Sequence, residues 1–148
     1  MTDVEKLLAI EEIKRLKSNY FWGLDHKDWE FWRREVWAPD ATLIVPEASR
    51  EEAGIDAIIT YVSTATADQV SVHHGHMPNI EITSDTTATG VWSMEDRLYR
   101  TPEHPLEDGS IYLHGLGHYH ETYVRLAVGW RIHTTRLTRL RVEMRKSF

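Results

Sequence analysis

The residues best suited to proton transfer are one aspartate and an adjacent pair of histidines. Asp25 lies at the edge of the apolar face of a predicted helix, and His73 and His74 lie near the start of a predicted strand. A carboxylate and an imidazole that meet between a helix and a sheet form a general base that works near neutral pH. The alternative is structural: Asp25 ends the helix, and the histidines belong to a polar edge strand.

A metal site is a second hypothesis, because the pattern His-x-His occurs twice. His74 and His76 precede Glu81 in an order that imitates half of a cupin metal motif, and His118 and His120 form the second pair. Residues i and i+2 of a strand share a face, so each pair could present two imidazoles to one ion. The glycines that flank a cupin motif are missing, which favours an imidazole-lined pocket without a metal.

Two further side chains are candidates for substrate binding. Arg136 belongs to the more apolar parity of the last predicted strand, where it is either paired internally or reaches a ligand oxygen, and we expect it to face the cavity. Trp92 follows Gly90 near the centre of a long predicted strand, and it is the tryptophan that we expect to line a substrate pocket.

Composition restricts the chemistry that is available. The chain has 148 residues, nine histidines, no cysteine and a net charge of −6. Thiol chemistry is therefore excluded, and the acidic balance argues against a nucleic-acid partner. The sequence has no glycine-rich phosphate loop, no GxSxG and no HExxH, so we expect no cofactor. With no leader and no membrane span in the sequence, we expect a cytoplasmic location and a single domain over residues 1–148.

The elements that must position these residues change in type along the chain. Apolar residues at spacings of three and four predict helices in the first part, whereas period-two patterns predict long strands in the second part. The expected fold is α+β, with three N-terminal helices packed on a strongly curved, mostly antiparallel sheet, a cone-shaped barrel that encloses a pocket. The predicted helices cover about residues 3–25, 28–37 and 55–67, and the predicted strands cover 41–45, 72–83, 87–101, 110–125 and 129–143.

Several segments of the chain resemble the SnoaL-like family of the nuclear-transport-factor-like superfamily. The resemblance extends over nearly the whole chain. It rests on residues 13–16 leading to Tyr20 and Asp25, and on residues 37–43, 72–74, 78–82, 117–125 and 129–132. Within the family, the chain is most similar to the scytalone dehydratase-like branch, whose members use a His–Asp pair with a tyrosine shortly before the aspartate.

This resemblance implies a role for each candidate residue. It implies that Asp25, His73 and Tyr20 are catalytic, and it selects His73 over His74. Arg136 corresponds to a substrate arginine of the family, and His118 joins it and Trp92 as a substrate-binding candidate. The resemblance also implies a homo-oligomer, with a trimer favoured over a dimer.

The function implied is that of a cofactor-independent, dehydratase-like lyase. His73 would remove a proton from a cyclic hydrophobic small molecule while Asp25 stabilises the imidazole, and Tyr20 would donate a hydrogen bond. The alternatives are a polyketide cyclase or ketosteroid-type isomerase that uses the same pair, and a small-molecule-binding domain without catalysis. The same fold supports all of these functions, so the matched residues carry the interpretation.

Overall fold

The structure is a computed structural model that describes residues 1–148, and it begins with a long amphipathic helix. Helix α1 spans Asp3–His26. Thr2 and Glu5 form a reciprocal capping box at its start, which satisfies two backbone N–H groups that a helix leaves free. The helix ends at Lys27, which adopts a left-handed conformation with φ of 55°. Asp25 is thereby fixed in the last turn of α1.

Two shorter helices complete the helical layer. Helix α2 spans Trp29–Glu35 and begins at Asp28, whose carboxylate accepts a hydrogen bond from the backbone N–H of Phe31. Helix α3 spans Ile55–Ala65. None of the three helices combines the length and the apolar composition that crossing a membrane requires.

Six strands form one mixed sheet against which the helices pack. Neighbouring strands are antiparallel except for β1 and β6, which are parallel. The strand order is β2-β1-β6-β5-β4-β3, so β2 and β3 are the edges. The strands are β1 (Trp37–Val45), β2 (Arg50–Ala53), β3 (Val70–Ile82), β4 (Thr87–Tyr99), β5 (Tyr112–Leu126) and β6 (Gly129–Arg145).

The architecture confirms the predicted fold, with three differences in detail. The second helix ends at Glu35, so Trp37, predicted to be helical, is the first residue of β1. The sheet has two free edges and is not closed into a complete barrel. The short strand β2 was not predicted, since its four residues are mostly charged and carry no apolar alternation. It follows a 3₁₀ turn at Pro46–Ala48 and pairs with β1.

The core lies between the helices and the inner face of the sheet and is unusually aromatic. Tyr20 and Trp32 come from the helices, and Tyr119, Tyr123 and Trp130 come from the sheet. Each of these residues is at most 5% exposed. The ring of Tyr20 packs against that of Tyr119, so aromatic contacts join α1 to β5.

Candidate active site

Asp25 and His73 are in direct contact across the boundary between helix and sheet. The Oδ1 atom of Asp25 lies 2.6 Å from Nδ1 of His73, and Oδ2 accepts a hydrogen bond of 2.9 Å from the backbone N–H of His73. The hydroxyl of Ser71 donates to Oδ1 at 2.9 Å. Because an ionised carboxylate only accepts hydrogen bonds, this geometry assigns the imidazole proton to Nδ1 and leaves Nε2 as the free basic nitrogen.

The sequence produces this contact through strand alternation. Ser71 and His73 are two residues apart in β3, so both side chains point to the inner face of the sheet. His74 has the opposite parity in β3 and is exposed at the rim of the pocket that Asp25 and His73 line. Of the two adjacent histidines, the structure therefore brings His73 to Asp25.

The other imidazole nitrogen of His73 faces a second acid. Nε2 lies 4.0 Å from Oδ2 of Asp96, too far for a hydrogen bond. Asp96 is 1% exposed and is held by the guanidinium of Arg139, which also contacts Glu47. Burial raises the pKa of Asp96 and lowers that of Arg139, as expected for charged groups removed from water. The imidazole of His73 is thus placed between two carboxylates.

A pocket of about 660 Å³ opens between α1 and β3 beside this pair. Its walls include Asp25 and His73 together with the rings of Phe21, Trp22 and Trp92. A ligand in this pocket can therefore reach the proposed general base. The indole nitrogen of Trp92 points away from the ligand space, since it donates a hydrogen bond of 2.9 Å to the hydroxyl of Tyr123. Of the predicted substrate-binding residues, Trp92 is the one that the structure places beside His73.

Tyr20 lies deeper than the pocket wall. It is 5% exposed and packs against the rings of Trp32, Trp37 and Tyr119. Burial raises the pKa of its phenol well above the ordinary value, and the nearby carboxylates of Glu121 and Asp25 act in the same direction. Tyr20 is therefore protonated at neutral pH and can act as a hydrogen-bond donor.

Arg136 and His118 lie on the outer face of the sheet, opposite to the expectation for Arg136. Arg136 is exposed and lines a separate groove of about 430 Å³ on that face. The reason is a register shift: β6 skips His133 against β5, since Thr122 pairs with Thr134 and Tyr123 with Ile132.

A bulged residue reverses the alternation of the strand beyond it. Arg139 therefore faces inward, where Arg136 was expected. His118 alternates with the buried residue Tyr119, and its ring centroid lies 6.1 Å from that of His120. Neither Arg136 nor His118 contacts the Asp25–His73 pair.

Four ionisable residues near the site, three buried and Arg139 half-buried, were not predicted as site residues. Asp96 and Arg139 contact each other beside His73, and Lys17 and Glu121 form a second pair whose Nζ and Oε1 atoms are 2.5 Å apart. Strand parity could have indicated the two acids. Asp96 has the parity of Trp92 and Met94 in β4, and Glu121 has that of the two buried tyrosines in β5.

The histidine pairs of the metal hypothesis lie apart. His74 and His76 are on the edge strand β3, and their ring centroids are 6.3 Å apart. His118 and His120 are on β5. No group of three or more histidine, aspartate or glutamate side chains is arranged so that it could hold a metal ion.

Comparison with known proteins identifies one family and several similar structures. The family model described as "SnoaL-like domain" matches residues 5–136. A presumed scytalone dehydratase from Novosphingobium aromaticivorans DSM 12444 is 21% identical, with 97% of this chain and 91% of that chain covered and a TM-score of 0.81. A hexachlorocyclohexane dehydrochlorinase, LinA-type3, from Novosphingobium barchaimii LL02 is 16% identical, with 99% and 97% covered and a TM-score of 0.83.

A more general relative has the same fold. It is a nuclear transport factor 2-like superfamily protein from Salmonella enterica subsp. enterica serovar Typhimurium str. LT2. It is 15% identical, with 96% of this chain and 94% of that chain covered and a TM-score of 0.74. At these identities the structural similarity establishes the shared fold, and the chemistry must be argued from the residues of this chain.

Proposed function

The chain belongs to the SnoaL-like domain family, and we propose that it is a cofactor-independent lyase of the dehydratase type that acts on cyclic, largely hydrophobic small molecules. The observation that carries this proposal is the 2.6 Å contact between Asp25 and Nδ1 of His73, with Nε2 free beside a pocket. An imidazole held in this way is suited to removing a proton from carbon. The scytalone dehydratase and dehydrochlorinase structures among the relatives support an elimination.

The proposed reaction begins at the free nitrogen of His73. Nε2 takes the proton from a carbon adjacent to a ring carbonyl, and the electron pair of the broken C–H bond passes into an enolate. The enolate re-forms the carbonyl as the C–O bond at the β-carbon breaks. The imidazolium returns its proton to the departing hydroxyl, so water leaves, a carbon–carbon double bond remains and His73 is again neutral.

Neighbouring groups assist these two proton transfers. Asp25 holds the imidazole and stabilises its positive charge during the reaction, while Asp96 lies on the Nε2 side at 4.0 Å. The role of Tyr20 as donor to the carbonyl oxygen rests on the family resemblance, since the phenol lies behind the pocket wall and is 5% exposed. Arg136 and His118 take no part in this proposal, since both lie on the outer face of the sheet.

The test is turnover of a panel of cyclic β-hydroxy ketones, followed by the ultraviolet absorbance of the conjugated enone. We expect His73→Ala to lower kcat by about a hundredfold or more, because general-base catalysis contributes roughly 10²–10⁴-fold. His104→Ala is the matched control, since His104 lies in an exposed loop and is 3.8 Å from Asp68.

Equal turnover by the wild type and by His73→Ala would contradict the proposal. A double-bond shift without loss of water would identify an isomerase that uses the same residues. Mass spectrometry of the product separates these outcomes, because only dehydration lowers the mass of the product.

A further inference from the structure

Trp22 is an exposed aromatic side chain in the wall of the pocket. It is 57% exposed and lies three residues before Asp25 in α1, which places both side chains on the same side of the helix. Single exposed apolar residues are ordinary on protein surfaces. This one lines the same pocket as Asp25 and His73, so an accessible indole lies about one helical turn from Asp25.

The indole of Trp22 is ordered by its neighbour one turn later. The ring of His26 stacks on it with centroids 3.9 Å apart and planes inclined by 22°. Nδ1 of His26 donates a hydrogen bond of 2.9 Å to the backbone carbonyl oxygen of Trp22, which fixes the imidazole in this position. Because His26 covers one face of the indole, the opposite face is the one that a ligand can cover.

The remaining apolar wall of the pocket consists of flat surfaces. Phe21 and Trp92 contribute rings, and Gly75 contributes bare backbone, since a Cβ there would lie 2.9 Å from Phe21 and 3.1 Å from Trp92. Pro78 is the other apolar residue, and no leucine, isoleucine, valine or methionine lines the pocket. Ring faces and backbone complement a flat ligand, whereas branched aliphatic side chains are absent.

We propose that Trp22, ordered by His26, is a stacking platform that selects ligands with a planar conjugated ring over ligands with a saturated ring of the same size. The inference rests on the proposed function in treating that ring as part of the substrate, whereas binding itself requires no turnover. Trp22 acts by direct contact with the ligand. His26 is a positioning residue, because it acts through Trp22.

The experiment compares two alcohols of the same carbon skeleton, 2-naphthol and decahydro-2-naphthol, by isothermal titration calorimetry. We expect the wild type to bind 2-naphthol about tenfold more tightly than the saturated alcohol. Trp22→Leu removes the stacking face and lowers the affinity for 2-naphthol by about tenfold, with little change for the saturated alcohol. His26→Leu gives a smaller loss of affinity for 2-naphthol and keeps the preference for 2-naphthol over the saturated alcohol. Trp29→Phe, on α2 outside the pocket, is the matched control.

Three results would overturn the inference. These are equal affinities of the wild type for the two alcohols, an unchanged affinity of Trp22→Leu for 2-naphthol, and a change in oligomeric state of Trp22→Leu without a change in affinity. The last result, read from light scattering, would make Trp22 a contact between copies. The turnover panel of the proposed function is run alongside on the wild type: a preference for 2-naphthol without turnover would overturn the lyase proposal and leave the stacking platform, and turnover without the preference would do the reverse.

Discussion

At the scale of single residues, both carboxylate oxygens of Asp25 accept hydrogen bonds from His73. Three donors converge on its two oxygens, namely the Ser71 hydroxyl and the backbone and ring nitrogens of His73. Two of these bonds come from the residue that it orients, so the carboxylate fixes both the position of the strand and the tautomer of the ring. This arrangement differs from a helix-terminal aspartate that caps or solvates its own helix, the structural alternative raised by the sequence.

This geometry predicts unequal effects of two substitutions around His73. In Asp25→Asn, the amide nitrogen cannot accept a hydrogen bond, so one donor of His73 or Ser71 loses its partner and the imidazolium loses its counter-charge. We expect kcat on the cyclic β-hydroxy ketone that the wild type dehydrates to fall by about a hundredfold or more. Ser71→Ala removes one of three bonds and should lower stability by about 1 kcal/mol, with kcat within a few-fold of the wild type.

Steady-state kinetics and urea unfolding measure both effects. A Ser71→Ala variant as impaired in kcat as Asp25→Asn would show that the hydroxyl, rather than the carboxylate charge, determines the activity.

At the scale of elements, the β5–β6 pair determines which arginine enters the site. Its register skips His133 and, further on, Leu140. The skip at His133 reverses the alternation of the residues after it, so Arg139 faces inward and Arg136 faces outward. Gly115 and Gly117 leave the space that Arg139 needs, because a Cβ at either position would overlap atoms of β6. A glycine-poor β5 could not hold Arg139 against Asp96.

Gly117→Ala tests how closely the backbone of β5 approaches that of β6 at this position. The added Cβ would overlap the backbone carbonyl oxygen of Thr138, and backbone in the middle of a paired strand cannot move aside cheaply. We expect a loss of about 3 kcal/mol in the free energy of unfolding, measured with urea. Leu116→Ala, at the exposed neighbouring position, is the control and should cost about 0.5 kcal/mol or less. Similar losses for the two variants would contradict the predicted strand contact.

The same bulges explain what the sequence could and could not reveal. The spacing of apolar residues predicts all three helices and the four long strands, and the family resemblance selects Asp25 and His73, which the structure brings into contact. Alternation alone assigned Arg136 to the cavity, because a bulge adds one residue without any compositional signal. The contacts of Asp96 with His73 and Arg139 depend on the pairing of three strands, which no local pattern encodes.

At the scale of the whole molecule, the helical layer and the sheet are joined by a buried ion pair. Lys17 of α1 and Glu121 of β5 both have side chains that are 0% exposed. Glu121 also accepts hydrogen bonds from Thr135 at 2.9 Å and from Tyr123 at 2.6 Å. The Lys17 ammonium lies 3.6 Å from the ring centroid of Tyr119. The pair thus joins α1 to β5 through buried polar contacts.

The outer face of the sheet is the face that the helices leave uncovered. It carries Arg136, His118 and His120, and the three helices pack on the opposite face. The homo-oligomer implied by the family resemblance, with a trimer favoured, stays a prediction. The solution mass from light scattering would test it directly.

Substitutions of the Lys17–Glu121 pair should show strong coupling. Either Lys17→Met or Glu121→Gln alone leaves a buried group without its partner, and we expect Lys17→Met to lose about 3–5 kcal/mol of unfolding free energy. The double variant removes both charges and should lose much less than the sum of the two single losses. Urea unfolding of the four proteins at neutral pH gives the coupling energy, and additive losses would contradict a direct interaction.

The pH dependence of stability provides an independent check on Lys17. Burial lowers the pKa of its ammonium below the ordinary value of 10.5, although Glu121 opposes the shift. A lysine with a lower pKa in the folded chain binds fewer protons there than in the unfolded chain, so its contribution to stability rises with pH between the folded value and 10.5. The buried tyrosines have the opposite slope in the alkaline range, because burial raises their pKa values. The unfolding free energy of Lys17→Met, subtracted from that of the wild type at each pH, gives the contribution of the lysine. We expect this difference to rise with pH in this window. A difference that falls would show that the ion pair, and not burial, dominates the titration of Lys17.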